Sequence, residues 1–252
     1  MKEIRAAKNN KIKELKKLQQ RKYRSQSEVY LLEGFHLVEE AAKANAEIKE
    51  VYLDERGLQL WQEWVERCQL DYYLLSDEAM KAISELPTPQ GIVALIKKVD
   101  AQPVDFSGKW LLLDNIQDPG NVGTIVRTAD AAGFDGIFLG IGTADRYSGK
   151  VLRSMQGSQF HLPIFNGDLN ETIPEFKKIH SKVYGTKVDE TALSYTQVES
   201  SPSFALILGN EGQGVAEEIL QMTDQNLYIP IYGAAESLNV GVAAGILMYA
   251  LV

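Results

Sequence analysis

The stretch "WLLLDNIQDPGNVGTIVRTADAAGFDGIFLG", residues 110–140, holds two strands, a turn and a helix in one run. "WLLLD" (110–114) and "GIFLG" (136–140) are short apolar segments bounded by turn residues, and both read as buried strands. Between them Val122, Ile125, Val126, Ala129 and Ala132 recur at helical spacing and form one apolar face. At roughly 100° per residue Arg127 falls opposite that face. An apolar strand, a turn, an amphipathic helix and a second apolar strand make the unit from which a parallel sheet with helices on both faces is built.

The turn resembles a phosphate loop only superficially. Its spacing, Gly120-Asn121-Val122-Gly123, does not match G-x-G-x-x-G, and the only acid near the end of the next strand is Asp145. A dinucleotide-dependent dehydrogenase is therefore disfavoured. Taken alone, Arg127 reads as a solvated arginine and Asn121 as a helix N-cap or turn residue.

The same texture continues downstream. "KVYGT" (182–186), "FALILG" (204–209) and "LYIPI" (227–231) are further strands, with helical stretches between most of them. "LILGNEGQGV" (206–215) runs from a strand into Gly209, Gly212 and Gly214, glycines that let a ligand approach the backbone closely. "IPIYGAAESLNVGVAAGILMYAL" (229–251) runs from a strand through a small-residue loop into a helix that Ser237 could cap, with Glu236 at its positive end. That helix is apolar nearly all round, so it must be buried on several sides, and a subunit interface would do this. "ETALSYTQVESSPS" (190–203) reads as a long polar loop.

Residues 1–98 differ. They alternate strands at 28–34, 48–54, 71–76 and 91–98 with helices at 35–45 and 58–68, the pattern of an α/β mini-domain. "VDAQPVDFSGK" (99–109) reads as a linker. The 252 residues carry a net charge of −8, unevenly distributed. Residues 1–24 hold ten Lys or Arg against two acids, a net +8, which leaves −16 on the rest. A basic arm on an acidic body can bind a polyanion by releasing counterions; its bland alternative is a solvated basic helix, with Ile4, Ile12, Leu15 and Leu18 as a partial apolar stripe. No apolar run reaches the ~20 residues that span a bilayer. The one cysteine, Cys68, allows no internal disulfide and reads as a reduced structural thiol in a cytoplasmic protein. His36, His161 and His180 show no metal-ligand spacing and are assigned no chemistry, so no metal is expected.

Three segments together are more specific than any one. "DNIQDPGNVGTIVRTADAAGFDGIFL" (114–139), "ALILGNEGQGV" (205–215) and "IPIYGAAESLNVGVAAGIL" (229–247) closely resemble, in order and spacing, the three signature motifs of the SpoU (TrmH) ribose methyltransferases of the SPOUT superfamily. "DRYSGKVLRSMQGSQFHLPIF" (145–165) is similar to the family's segment after the second strand. "KYRSQSEVYLLEGFHLVEEA" (22–41) and "TPQGIVALIK" (88–97) resemble, more weakly, its N-terminal RNA-substrate domain, a ribosomal-protein-like fold. The resemblance implies an α/β protein with two domains. A C-terminal SPOUT domain (110–252), with a parallel sheet tied in a deep trefoil knot, would follow a smaller α/β RNA-substrate-binding domain (1–98).

It also implies the chemistry. The protein would be a homodimer, pairing through knot-domain helices, that moves a methyl from S-adenosylmethionine to a ribose 2′-hydroxyl of RNA, ribosomal in preference to transfer RNA. Arg127 would be the catalytic residue. Asn121 and Glu211 would hold the arginine and the active-site loops in register. Thr186, Leu208, Gly209, Asn210, Gly212, Ile229, Ser237, Leu238 and Asn239 would line the cofactor pocket. Arg21, Lys22, Arg24, Arg146, Lys150 and Arg153 would contact RNA. A catalytically dead RNA-binding protein of the same fold is the competing reading, and the matched Arg127, Asn121, Glu211 and Ser237-Leu238-Asn239 speak against it.

Overall fold

The computed structural model describes residues 2–99, 105–189 and 192–252. The chain divides into two compact units, one of residues 1–99 with 145–160, the other of 100–144 with 161–252.

The first unit contains β1 (Lys2–Ile4), α1 (Asn10–Lys17), α2 (Arg21–Ser25), β2 (Val29–Glu33), α3 (Phe35–Lys43), β3 (Ile48–Leu53), α4 (Glu55–Arg67), β4 (Tyr72–Leu75), α5 (Asp77–Ile83) and β5 (Ile92–Lys97). Its sheet runs β1-β4-β3-β5-β2, with β5 antiparallel to both neighbours and the other pairs parallel. Helix starts are capped by side chains: Asp54 accepts from Gly57 N–H at 2.7 Å and Ser76 from Ala79 N–H at 3.2 Å. The expected basic arm is not an arm. Ile4, Ile12 and Leu15 are buried among Tyr52, Leu75, Met80, Ile83 and Val93, and β1 extends the sheet. Two apolar residues one helical turn apart on α1 are enough to bind the segment to the core. Cys68 sits at the C-cap of α4 and is exposed, so it supports no packing.

The second unit contains β6 (Lys109–Leu113), α6 (Pro119–Ala131) and β7 (Gly136–Leu139). After α7 (Gly149–Met155), which belongs to the first unit, come β8 (Ile164–Asn166), α8 (Leu169–Lys178), β9 (Lys182–Thr186), β10 (Leu193–Ser194), β11 (Phe204–Leu208), α9 (Glu217–Leu220), β12 (Gln225–Tyr228) and α10 (Val240–Leu251). All seven strands are parallel in the order β10-β12-β9-β11-β6-β7-β8. Trp110, Phe138, Phe165 and Phe176 are buried together on one face, with Phe106 stacked on Phe138 at 5.9 Å. The order matters for function. β6 and β11 are adjacent, β9 follows β11, and β12 follows β9, so the loops leaving their carboxyl ends stand side by side. Open α/β sheets bind ligands there.

Three sequence readings are adjusted. β12 covers 225–228, not 227–231, because Pro230 has no N–H for a sheet ladder. The polar stretch at 190–203 is not all loop: Leu193 and Ser194 pair with β12, and Tyr195–Gln197 form a 3-10 turn, while 190 and 191 lie outside the described residues. Of the linker 99–109, residues 100–104 lie outside them, and Lys109 already belongs to β6.

Arg24, expected to face RNA, is 4% exposed. Its guanidinium binds Asp145 at 2.7 Å and donates to the Leu18 and Gln19 carbonyls at 2.7 and 2.9 Å. It thereby closes the end of α1 and fastens the 145–160 segment into the first unit. Removing one partner of a buried pair leaves the other charge uncompensated, at a cost of about 3–5 kcal/mol. Arg24→Ala is expected to lower the thermal unfolding midpoint markedly, and calorimetry of the intact protein against Arg21→Ala, an exposed neighbour, checks this.

Candidate active site

Asp118, not Asn121, caps α6: its carboxylate accepts from the Asn121 N–H at 2.9 Å, and Pro119 occupies the first helical position. The Asp-Pro pair carried that signal in the sequence. Asn121 is thus inside the first turn with its side-chain amide free. The amide N–H donates to Glu211 Oε1 at 3.0 Å, and its oxygen accepts from Asn239 Nδ2 at 3.0 Å. Asn239 in turn caps α10, accepting from Gly241 and Val242 N–H at 2.9 and 3.3 Å. It takes the capping role that the sequence suggested for Ser237.

Glu211 also accepts backbone N–H bonds from Gln117 at 3.2 Å and Asp118 at 3.1 Å. Partial burial acts to raise its pKa, but the hydrogen bonds from Asn121 and the two amides outweigh this and hold the carboxyl below its ordinary value. The Glu211 loop is itself braced. Asn210 donates to the Asn115 carbonyl at 2.8 Å and accepts from the Gly212 and Gln213 amides at 2.9 and 3.1 Å. Asn115 has φ 55°, a left-handed conformation that asparagine tolerates. Its role was not read from the sequence. Gly209 is obligatory for close approach, since a Cβ there would lie 2.1 Å from the Gly214 carbonyl carbon.

These loops border a cavity of 460 Å³, within the size range of sites for nucleoside-sized ligands. Of the nine expected cofactor residues, Thr186, Leu208, Gly209, Asn210, Gly212, Ile229, Ser237 and Leu238 line it, as does Glu211. Asn239 does not, though its neighbour Val240 does. Lys187, Gln213, Glu217 and Tyr228 also line it and were not singled out beforehand, because polar residues beside a loop carry no periodic signal. Thr186 donates its hydroxyl to the Ile207 carbonyl at 2.9 Å, tying β9 to β11 at the cavity wall.

Arg127 is exposed, as the helical wheel indicated, and does not line the cavity. Among the described residues its guanidinium makes no hydrogen bond or ion pair. Asn121 and Glu211 therefore bind loop to loop rather than holding the arginine. On the first unit, Arg21, Lys22 and Lys150 are exposed. Arg146 lies over the Tyr147 ring at 4.7 Å, and Arg153 is 3.6 Å from Glu85. His36, Glu39 and Glu40, a turn apart on α3, form a group close enough to share a cation, but Lys43 already binds both carboxylates at 3.0 and 2.9 Å, and His36 Nε2 is 3.1 Å from the Gln156 carbonyl.

Three strand-end loops, locked by a Glu-Asn-Asn chain, border a glycine-walled cavity at the carboxyl edge of a parallel sheet. Residues 109–249 match the SpoU rRNA Methylase family and residues 9–94 the MRM3-like substrate binding domain, and the chain belongs to the SpoU rRNA methylase family. It is 48% identical over 252 residues to the 23S rRNA (guanosine(2553)-2'-O)-methyltransferase RlmP of Bacillus subtilis (strain 168), covering 100% of this chain and 99% of that protein. It is 29% identical to the mitochondrial rRNA methyltransferase 3A of Danio rerio, over 91% of this chain and 65% of that one. The crystal structure of AdoMet-bound rRNA methyltransferase from Sinorhizobium meliloti superposes with a TM-score of 0.87 at 27% identity, covering 99% of this chain and 97% of that one.

A depressed folded pKa places the contribution of Glu211 above pH 4.5, and that contribution is lost as pH falls through the folded value. Amide exchange at Gln117 and Asp118, corrected for intrinsic rates, is expected to be slow at pH 7 and fast in acid. Glu211→Ala should exchange fast at both.

Proposed function

We propose that this protein is an S-adenosylmethionine-dependent methyltransferase acting on a ribose 2′-hydroxyl of ribosomal RNA. The observation that carries the reading is the convergence of the three loops on one cavity through Glu211, Asn121 and Asn239. Full-length identity to a 23S rRNA 2'-O-methyltransferase favours ribosomal over transfer RNA.

The cavity fits the cofactor by its chemistry. Leu208, Ile229, Leu238 and Leu247 offer apolar walls to an adenine, and Gly209, Gly212 and Gly214 bring backbone to the cavity edge with no side chain of their own. When bound, S-adenosylmethionine supplies a methyl already activated on a sulfonium. What remains for the protein is to hold the 2′-oxygen in line and to ease loss of its proton. Positioning can contribute up to ~7–11 kcal/mol. Arg127, with no protein partner among the described residues, keeps five N–H donors for substrate. It binds the ribose oxygen and an adjacent phosphate, stabilising the alkoxide as the oxygen–carbon bond forms and the carbon–sulfur bond breaks. The proton leaves to phosphate or water, because a guanidinium holds its own proton and is a poor base.

The reading extends to assembly and topology. α10 rests on α6 through Gly241 near Thr124 and Gly245 near Thr128, yet leaves Val242 and Tyr249 54% and 59% exposed. These exposed apolar residues on α10 support a homodimer through α6 and α10, in which a second copy would cover them. Membership of the SpoU rRNA methylase family supports a knotted SPOUT domain. The N-terminal domain, 1–98, presents the RNA, with Arg21, Lys22 and Lys150 toward it, while Arg146 and Arg153 brace the 145–160 segment. No helix among the described residues is long and apolar enough to cross a membrane. A ribosomal RNA substrate like that of the RlmP relative supports a cytoplasmic location.

Ribose-methylation mapping of total RNA with and without the gene is expected to show one 23S position lost. A loss confined to transfer RNA would overturn the substrate class. Arg127→Ala is expected to lower kcat by about 10²–10³ with cofactor affinity intact. Near-normal turnover of Arg127→Lys would refute a bidentate role.

A further inference from the structure

Residues 8–25 carry eight Lys or Arg and a single acid, Glu14. Three of the cations have a partner at 2.7 Å: Lys11 on Glu50 and Arg24 on Asp145 are neutralised in part-buried pairs, and Lys17 meets Glu14 in an exposed, solvent-screened pair that a phosphate can replace. The other five, Lys8, Lys13, Lys16, Arg21 and Lys22, are exposed, and among the described residues none has an ion-pair partner. Because Ile12 and Leu15 point into the core, Lys13 and Lys17, four apart, share the outer side of α1, and the exposed Lys16 flanks it. Where α1 gives way to α2 the Tyr23 ring is 37% exposed, with Lys17 Nζ 5.9 Å and Lys22 Nζ 5.8 Å from its centroid.

This combination selects its ligand. Uncompensated like charges on one surface repel one another, and a polyanion relieves them. A part-exposed aromatic ring with two exposed ammonium groups 5.8 and 5.9 Å from its centroid adds something that a purely anionic surface does not use, a ring on which a flat heterocycle can stack once phosphates draw those ammonium groups to themselves. Paired bases in a duplex present no open face, so only an unpaired nucleotide can stack. We propose that α1 and α2 grip the RNA substrate at an unpaired nucleotide, whose base stacks on Tyr23 while Lys17 and Lys22 meet the flanking phosphates and Lys13 and Lys16 continue the backbone track. This rests on the RNA methyltransferase reading and adds to it a single-stranded element, a loop or bulge, in the substrate.

The test uses the full-length protein and two labelled probes, a short single-stranded RNA and a blunt duplex of the same sequence, in anisotropy titrations across a salt series. Tyr23→Ala is expected to weaken single-strand binding about ten-fold, leaving duplex binding within two-fold and the salt slope unaltered. Tyr23→Phe should bind as the parent does, since the ring and not the hydroxyl stacks. The Lys13→Ala, Lys16→Ala double variant should weaken both probes and reduce the slope of log K against log salt by about 1.4–1.8. In methylation assays Tyr23→Ala should raise KM for RNA rather than lower kcat. The proposal is overturned if Tyr23→Ala binds both probes like the parent, if it loses both equally, or if the double lysine variant keeps the parental slope. Absence of methyl transfer by the parent protein would count against the methyltransferase reading alone, because the titrations judge the grip without turnover.

Discussion

Everything at the site depends on the direction of one hydrogen-bond chain. The first N–H groups of α10 have no intrahelical acceptor, so they fix Asn239 with its oxygen toward the helix. Its NH₂ must then face Asn121, whose oxygen accepts and whose own NH₂ points at Glu211. A carboxylate only accepts, so the chain has one polarity from end to end. Turning either amide over would set donor against donor or acceptor against acceptor at both of its contacts. The loops after β6 and β11 and the start of α10 are far apart in sequence, yet this polarity admits one arrangement of the three. A charge-assisted bond at the Glu211 end strengthens the whole.

The parallel sheet was legible because its central strands β6 (from Trp110), β7 and β11 are short, continuously apolar runs, and β7 and β11 each run into a glycine. Leu111, Leu112 and Leu113 and then Ala205, Leu206 and Ile207 are fully buried, as such runs require. What escaped the reading was short or locally ambiguous. β1 and β10 have three and two residues, too few to show a period of two. The first 24 residues are dominated by charge, which hid the two positions, Ile12 and Leu15, that seat α1. Arg24 and Arg21 are indistinguishable as letters; only the carbonyls left unsatisfied at the end of α1 separate a buried clasp from a surface cation.

At the site the motif positions were legible and their couplings were not. Gly209, Ile229 and Leu238 line the cavity as the resemblance implied. That Asn121 bridges to Asn239 across 118 residues could not be read from spacing, because neither side chain belongs to a periodic face. The left-handed Asn115 beneath the loop is equally silent in sequence, since asparagine in a polar stretch fits an ordinary turn as well as a strained support.

The first unit draws its residues from two places in the chain, 1–99 and 145–160. A nick between Val99 and Asp105 would therefore sever the backbone without splitting that unit, since α7 would remain seated with Arg24 still clasping Asp145. The two fragments would copurify as a nicked complex and part only on denaturation. Conversely, an excised N-terminal half would lack the piece that satisfies its most buried arginine. The boundary of the first compact unit is not the one at which the two matched families meet.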